Sequence, residues 1–208
     1  LLRVAADATG HWPWSYRGKV CDPYAAADWV TLYQAFAQHS GIYLHETVSI
    51  GGADRDALAA QARALDVAFG GGDTWSDIFS RVLTEKIEPN LGVNRPGILC
   101  EYPLAEAALA RPSANDPTVA ERFELYCCGI ELANGFGELT DADEQRRRFV
   151  KWMDDKERIY GERYPIDEDF LAALAQMPPA SGCALGFDRL VMLATGATRI
   201  DQVLWTPL

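Results

Sequence analysis

With 208 residues, 49% of them hydrophobic, the chain can bury one sizeable core, which excludes disorder as a whole. A formal net charge of −11 excludes broad, non-specific binding of DNA or RNA, because neutralising phosphates takes a basic surface. Cys21, Cys100, Cys127, Cys128 and Cys183 are odd in number and lack zinc-site spacing, so reduced, mostly buried thiols of a cytoplasmic protein are expected. No apolar run reaches the roughly 18 residues of a membrane span, and no secretory signal opens the chain. Membrane association is not expected, and the opening Leu1 makes a fragment the expectation.

Leu1 to Ala8 reads as the end of a helix stopped by Gly10, and Trp12 to Val20, with its Arg17-Gly18-Lys19 turn, as a short hairpin or an irregular edge. Thr31 and Gln34 form a capping-box pattern opening a helix to about His39. Gly51 and Gly52 break the chain. Asp54 to Phe69, rich in Ala and Leu, reads as a helix ended by Gly70-Gly71-Gly72. Thr74 with Asp77 caps the next helix, which has Ile78, Val82 and Ile87 on its apolar side and Pro89 at its end. Strands follow at Gly97 to Tyr102, Phe123 to Cys128 and Ile130 to Phe136, the last two flanking Gly129. Asp141, with Glu144, caps a long polar helix to about Tyr160, with Phe149, Trp152, Met153 and Ile159 in its buried stripe. A short helix carrying Phe170, Leu171 and Leu174 lies between Asp167 and Pro178-Pro179. Cys183 to Phe187 reads as a strand and Asp188 to Ala194 as the helix leaving it. The pattern predicts an α+β fold, helices covering a mainly antiparallel sheet, in a single domain over residues 1–208.

The chemistry concentrates late in the chain. Glu124 and Glu131 lie seven residues apart across the expected turn. They are directly opposite if Cys127-Cys128 makes the turn and diagonal neighbours if Cys128-Gly129 does; both registers put them on one sheet face. Like charges so close call for a cation between them. One reading is magnesium shared with phosphates, and the other is a solvent-facing pair bridged to Arg122 or Arg111. Asn134, Phe136 and Glu138 alternate, so an extended chain points all three one way. They suit an amine-bearing ligand with an aliphatic stem, or else a core aromatic flanked by satisfied polar groups. Gly182, Gly186 and Asp188-Arg189 make a strand-to-helix unit whose arginine suits phosphate or adenine, or is an ordinary turn with a surface ion pair. It is neither a Walker loop nor a dinucleotide fingerprint. His11, His39 and His45 are too scattered to suggest a metal cluster, and no Ser-His-Asp or Cys-His arrangement is evident.

Taken together, Val119 to Phe149, Pro165 to Leu174 and Ser181 to Ala197 resemble the class II aminoacyl-tRNA synthetase catalytic domain, in its lysyl branch. EKIEPNLG at Glu85 to Gly92 and YPLAEAALA at Tyr102 to Ala110 also fit. The closer resemblance is to the stand-alone ligases that modify elongation factor P. The resemblance implies a mixed, mainly antiparallel sheet flanked by helices. It implies that Glu124 and Glu131 hold Mg2+ with ATP, and that Arg189 contacts ATP while Gly186 shapes the same wall. Arg189, Glu124 and Glu131 would be catalytic in that electrostatic sense. Asn134, Phe136 and Glu138 would line a lysine-like pocket, with Glu138 on the distal amine. Ala184 stands where lysyl-tRNA synthetases usually carry Gly, which implies (R)-β-lysine rather than α-lysine as substrate. Elongation factor P would be the protein substrate, tRNA and DNA would not be partners, and a homodimer would fit the family. Motifs 1 and 2 of the family are not found in this sequence, and Arg3 and Arg17 do not sit in a motif 2 context. Ala105 and Ala108 stand where the ligases commonly have serine. The alternatives are a lysyl-tRNA synthetase fragment activating α-lysine, or an inactive synthetase-like binding or structural protein.

Overall fold

A five-stranded sheet organises the chain, with strand order β3-β6-β7-β8-β9. The computed structural model describes residues 1–49 and 52–206. The strands are β3 (Asp28–Thr31), β6 (Gly97–Pro103), β7 (Val119–Cys127), β8 (Ile130–Gly137) and β9 (Ser181–Leu185). All neighbours pair antiparallel except β3 and β6, which are parallel. A parallel pair needs a long crossover, and residues 32–96 supply it. That crossover holds α2 (Leu32–Ser40), a two-stranded ribbon of β4 (Val48–Ser49) and β5 (Gly52–Ala53), α3 (Arg55–Ala62) and α4 (Trp75–Val82). The sheet is therefore mainly antiparallel with one parallel edge. The expected break at Gly51 lies outside the described residues.

The capping arguments place the helices well. Thr31 and Gln34 cap α2 reciprocally, and Thr74 and Asp77 do the same for α4. Asp54 and Asp141 accept amides at the starts of α3 and α5 (Ala142–Tyr160). Gly10 ends α1 (Leu2–Thr9) in the left-handed conformation that glycine takes without strain. The Arg17-Gly18 turn joins β1 (Trp14–Tyr16) to β2 (Lys19–Cys21), so the first aromatic stretch is a hairpin.

Three expected elements are corrected. The helix from Asp54 stops at Ala62 instead of Phe69, because the amides of Leu65 and Val67 turn back onto Ala62 and Leu65 carbonyls. Arg55 and Arg81 then pin the following loop through Gly70, Ala68 and Asp73. The last strand runs Ser181–Leu185, two residues earlier than expected, and α7 (Phe187–Thr195) begins right after Gly186. The buried stripe of α5 is also shorter than expected. Phe149 packs on Phe170 of α6 (Glu168–Leu174), but Trp152 is 42% and Ile159 53% exposed. Only the first half of α5 docks, where Arg148 donates to the carbonyls of Ala108 and Ala110.

Two cores flank the sheet. On one face, α2, α3 and α4 bury Leu32, Phe36, Leu58, Ile78, Phe79 and Val82 against Leu99, Tyr102 and Tyr126. Phe79 stacks between Phe36 at 5.0 Å and Trp75 at 4.9 Å. The other core joins Ala6 of α1, Leu190 and Leu193 of α7, Trp14, Cys21, Cys127 and Cys128. α4 runs on through a π turn (Leu83–Ile87) and a 3-10 turn (Glu88–Asn90) that bring Glu88 to the end of the β7–β8 hairpin.

Candidate functional site

The β7–β8 hairpin sets the site. Its turn is Cys128-Gly129, both residues in the left-handed region at φ 55° and 74°, the conformation that suits the twist of a two-residue hairpin loop. Tyr126 pairs with Glu131, whereas Glu124 pairs with Asn134, so Leu132 is one residue extra and forms a bulge. Of the two registers open to the sequence, this is the diagonal one. Glu124 and Glu131 share a face with Arg122, Tyr126, Asn134 and Phe136.

Glu124 is 5% exposed, and both its oxygens are occupied. Arg122 donates to it at 2.7 Å, Tyr126 Oη at 2.6 Å and Asn134 Nδ2 at 3.1 Å. Arg122 is thus its ion-pair partner, while Arg111 pairs with Glu121. Arg122 also donates to the Glu106 carbonyl at 2.7 Å, and its guanidinium lies 4.2 Å from the Tyr102 ring centre and 5.8 Å from that of Phe136. The β6–β7 register shifts beside Tyr102: between the Cys100–Phe123 and Tyr102–Ala120 pairs one residue of β6, Glu101 at φ 57°, faces two of β7, Glu121 and Arg122. Burial, together with the charge of Glu124, holds the Tyr102 and Tyr126 hydroxyls protonated well above the usual range. Tyr126 Oη donates to Glu124, whereas Tyr102 Oη is buried without a hydrogen-bond partner among the described residues.

The outer half of the same face is open. Asn134 pairs with Ala184 and Phe136 with Gly182, so β9 presents a methyl and a bare backbone beside the two side chains. Glu138 leans over β9, with Oε1 2.5 Å from where a Cβ on Gly182 would stand. Asn134, Phe136 and Glu138 therefore point one way, as their alternation predicted. Arg189, in the first turn of α7, donates to the Glu131 carbonyl at 2.9 Å and to Glu131 Oε2 at 3.3 Å. A side chain on Gly186 would crowd Arg189 Cδ at 3.3 Å, so Gly186 leaves room for that arginine. The structure thus gathers Glu124, Glu131, Asn134, Phe136 and Glu138 on one sheet face with Ala184 beside them, and Gly186 and Arg189 at its edge.

Sequence reasoning did not single out Glu88, Tyr126, Tyr102 or Arg122's bracing role. Glu88 lies beside Tyr126 Oη at 3.5 Å, and its carboxyl is held above its usual range by burial and then by the charges of Glu124 and Glu131. Glu88 thus adds a third carboxylate to Glu124, which is paired with Arg122, and Glu131, which is paired with Arg189. Among the described residues no three His, Cys, Asp or Glu are grouped closely enough to hold a metal by themselves. Magnesium fits here only with phosphate oxygens as its remaining ligands, the manner in which it commonly binds. Burial pushes the Cys128 thiol at the hairpin turn up to about 12, so that residue offers no thiolate.

Residues 76–208 match the family of tRNA synthetases class II (D, K and N). The chain is 43% identical over 189 residues to an elongation factor P–(R)-β-lysine ligase of Sodalis glossinidius (strain morsitans), covering 88% of this chain and 55% of that protein. It is 44% identical over 162 residues to the ligase of that name from Proteus mirabilis (strain HI4320), covering 75% and 49%. The chain spans about half the length of these curated relatives. With the matched region carrying both the carboxylate hairpin and the glycine-arginine element, this chain belongs to the class II tRNA synthetase family.

Proposed function

We propose that this chain forms the amine-binding and nucleotide-binding half of an ATP-dependent ligase that activates (R)-β-lysine and transfers it to a lysine side chain of elongation factor P. The observation that carries this reading is the open strip of Asn134, Phe136 and Glu138 over Gly182 and Ala184, ending at the Glu131–Arg189 pair. That the relatives from Sodalis glossinidius and Proteus mirabilis are elongation factor P–(R)-β-lysine ligases by name supports the choice of substrates. A reducing, cytoplasmic setting accords with the free cysteines.

In this reading Glu138 receives the distal ammonium, Phe136 flanks the aliphatic stem and Asn134 binds a polar group nearer the reacting end. The substrate carboxylate attacks the α-phosphorus of ATP, the bond to the bridging oxygen breaks, and pyrophosphate leaves. The lysine amine of the acceptor then attacks the acyl carbon of the mixed anhydride, loses a proton and expels AMP. Arg189 offsets phosphate charge. Glu131 keeps that arginine aimed, and Arg122 with Tyr126 holds Glu124 in one orientation. Mg2+, held by Glu124, Glu131 and the phosphates, would neutralise phosphate charge.

Two measurements test the reading. β-Lysine should bind the chain, and Glu138→Gln should weaken it by roughly tenfold or more, the scale of a lost charge-assisted hydrogen bond. ATP–pyrophosphate exchange should depend on β-lysine. Unchanged affinity in the variant would remove Glu138 from the amine site, and exchange with neither β-lysine nor α-lysine would show that the chain alone is not a complete enzyme.

A further inference from the structure

The segment that follows β6 has little regular structure, yet two residues of the open strip lean on it. Residues 104–110 make one 3-10 turn (Leu104–Glu106) and then a bend in which Ala108 takes φ 50°. A residue with a Cβ holds that left-handed conformation only where its surroundings impose it. Ala107 and Ala110 are buried here with Ala120, and Leu104 and Phe136 pack against them. The segment also runs beside Glu138. Ala110 bridges Glu138, the Leu139 amide donates to the Leu109 carbonyl at 2.9 Å, and the Arg111 amide donates to the Gly137 carbonyl at 2.8 Å. The ring of Phe136 and the backbone of Glu138 therefore follow this segment wherever it is held.

Two guanidinium groups hold it. Arg122 of β7 donates to the Glu106 carbonyl at 2.7 Å, and Arg148 of α5 donates from Nη1 to the carbonyls of Ala108 at 2.9 Å and Ala110 at 2.8 Å. The carbonyls at 106, 108 and 110 thus find charged donors where no strand supplies a partner. Arg148 is itself fixed. Its side chain is 11% exposed, and its Nε donates at 3.0 Å to Glu144 Oε1, in the first turn that Asp141 caps. Its Nη2 is buried without a hydrogen-bond partner among the described residues, so Nη1 alone carries the hold on the segment. Arg148 reaches Glu138 through the backbone of Ala108–Ala110.

We propose that Arg148 is a positioning residue: by clamping the carbonyls of Ala108 and Ala110 it sets where Glu138 and Phe136 stand at the open strip, and so how a ligand's ammonium and aliphatic stem are met. A carboxylate gains most from an ammonium over a narrow range of distance and angle, so drift of its backbone forfeits binding while the charge stays the same. The inference deepens the amine-site reading and rests on it for the ligand, whereas the clamp stands on geometry alone.

The test is calorimetric titration of β-lysine, with amide hydrogen exchange, on the full chain and on Arg148→Met, Arg148→Lys, Glu138→Gln and the Arg148→Met/Glu138→Gln pair. Arg148→Met should weaken β-lysine by roughly tenfold, the scale of one charge-assisted contact. Arg148→Lys should recover most of it, because an ammonium can replace Nη1 at both carbonyls. In the Glu138→Gln chain the same Arg148→Met change should cost less than about twofold, since the contact it misplaces is already gone. The amides of Arg111 and Leu139 should exchange at least roughly tenfold faster in Arg148→Met, while that of Gly186, which donates to Leu132, should not change. If Arg148→Met folds poorly, adding Ala108→Gly relieves the left-handed residue; stability should then return without the β-lysine affinity, and recovery of both overturns the proposal. With Glu138→Gln itself weakening β-lysine, an Arg148→Met loss of equal size in both backgrounds, or none in either, also overturns it. Where Glu138→Gln leaves β-lysine binding as it was, the amine-site reading fails and the exchange rates decide the clamp by themselves. Faster exchange confined to Arg111 and Leu139 then upholds the clamp, and unchanged or uniformly faster exchange overturns it.

Discussion

Arg122→Ala is the most informative single change, because Arg122 braces Glu124 beside the open strip. The substitution removes the guanidinium that neutralises Glu124, a side chain 5% exposed, and deletes the donor to the Glu106 carbonyl. Removing one partner of a buried ion pair leaves an uncompensated charge and costs about 3–5 kcal/mol. For a chain of this size each kcal/mol moves the melting temperature by roughly 2–4 °C, so a fall of about 6–20 °C is expected. The assay is urea and thermal unfolding of Arg122→Ala, Glu124→Gln and the double variant. If the pair is the source of the loss, the double variant should be less destabilised than the sum of the singles, with a coupling of about 1–3 kcal/mol. Arg122→Ala within 1 kcal/mol of the parent would refute this reasoning, and so would additive singles.

Three further outcomes follow from the geometry. Ala184→Gly removes the methyl that β9 sets beside Asn134, and should shift the ratio of β-lysine to α-lysine affinity by about 1–3 kcal/mol toward α-lysine; titration of both lysines checks it, and an unchanged ratio rejects Ala184 as a selector. Glu88 has its pKa raised in the folded chain by burial and carboxylate neighbours, so its contribution to stability is fully present below its unfolded pKa and is lost as pH rises through the folded value. Glu88→Gln should therefore be more stable relative to the parent at pH 8 than at pH 4, and a stability difference that is flat across those melts would contradict it. Gly135→Ala would place a Cβ 2.4 Å from Phe123 Cε1, so it should destabilise by about 1–3 kcal/mol; Phe123→Leu in the same chain should recover part of the loss, and no recovery would mean the clash lies elsewhere.

The local grammar was legible. The caps at Thr31, Thr74 and Asp141, the glycine stop at Gly10 and the alternation through Asn134, Phe136 and Glu138 each depend on neighbours a few residues away. Each appears in the structure as read. What escaped depends on distant chain. The extra β7 residue opposite Glu101 and the extra Leu132 of β8 are not marked by residue type; only pairing with β6 and across the hairpin reveals them. Without the Leu132 bulge the partner of Glu124 would have been misassigned. Strand β3 is four residues long and exists because β6 runs beside it. The Asp54 helix was drawn too long because Ala and Leu favour a helix, while Arg55 and Arg81 tether the following loop away from one. Glu88 was passed over because a turn some 35 residues before Glu124 gives no sequence sign that the two will meet.

The seat of Glu138 carries a last consequence. Its carboxylate occupies the space in which a side chain at position 182 would begin. Charge and reach are thereby encoded on different segments: the residue just after β8 supplies the anion, and Gly182 of β9 fixes how far back that anion can recline. A small side chain at position 182 would tip the carboxylate forward and shorten the pocket while leaving its charge intact, whereas a change at Glu138 would alter the charge and keep the floor. In the proposed amine-binding reading, ligand length and ligand charge are separately tunable, at positions 182 and 138.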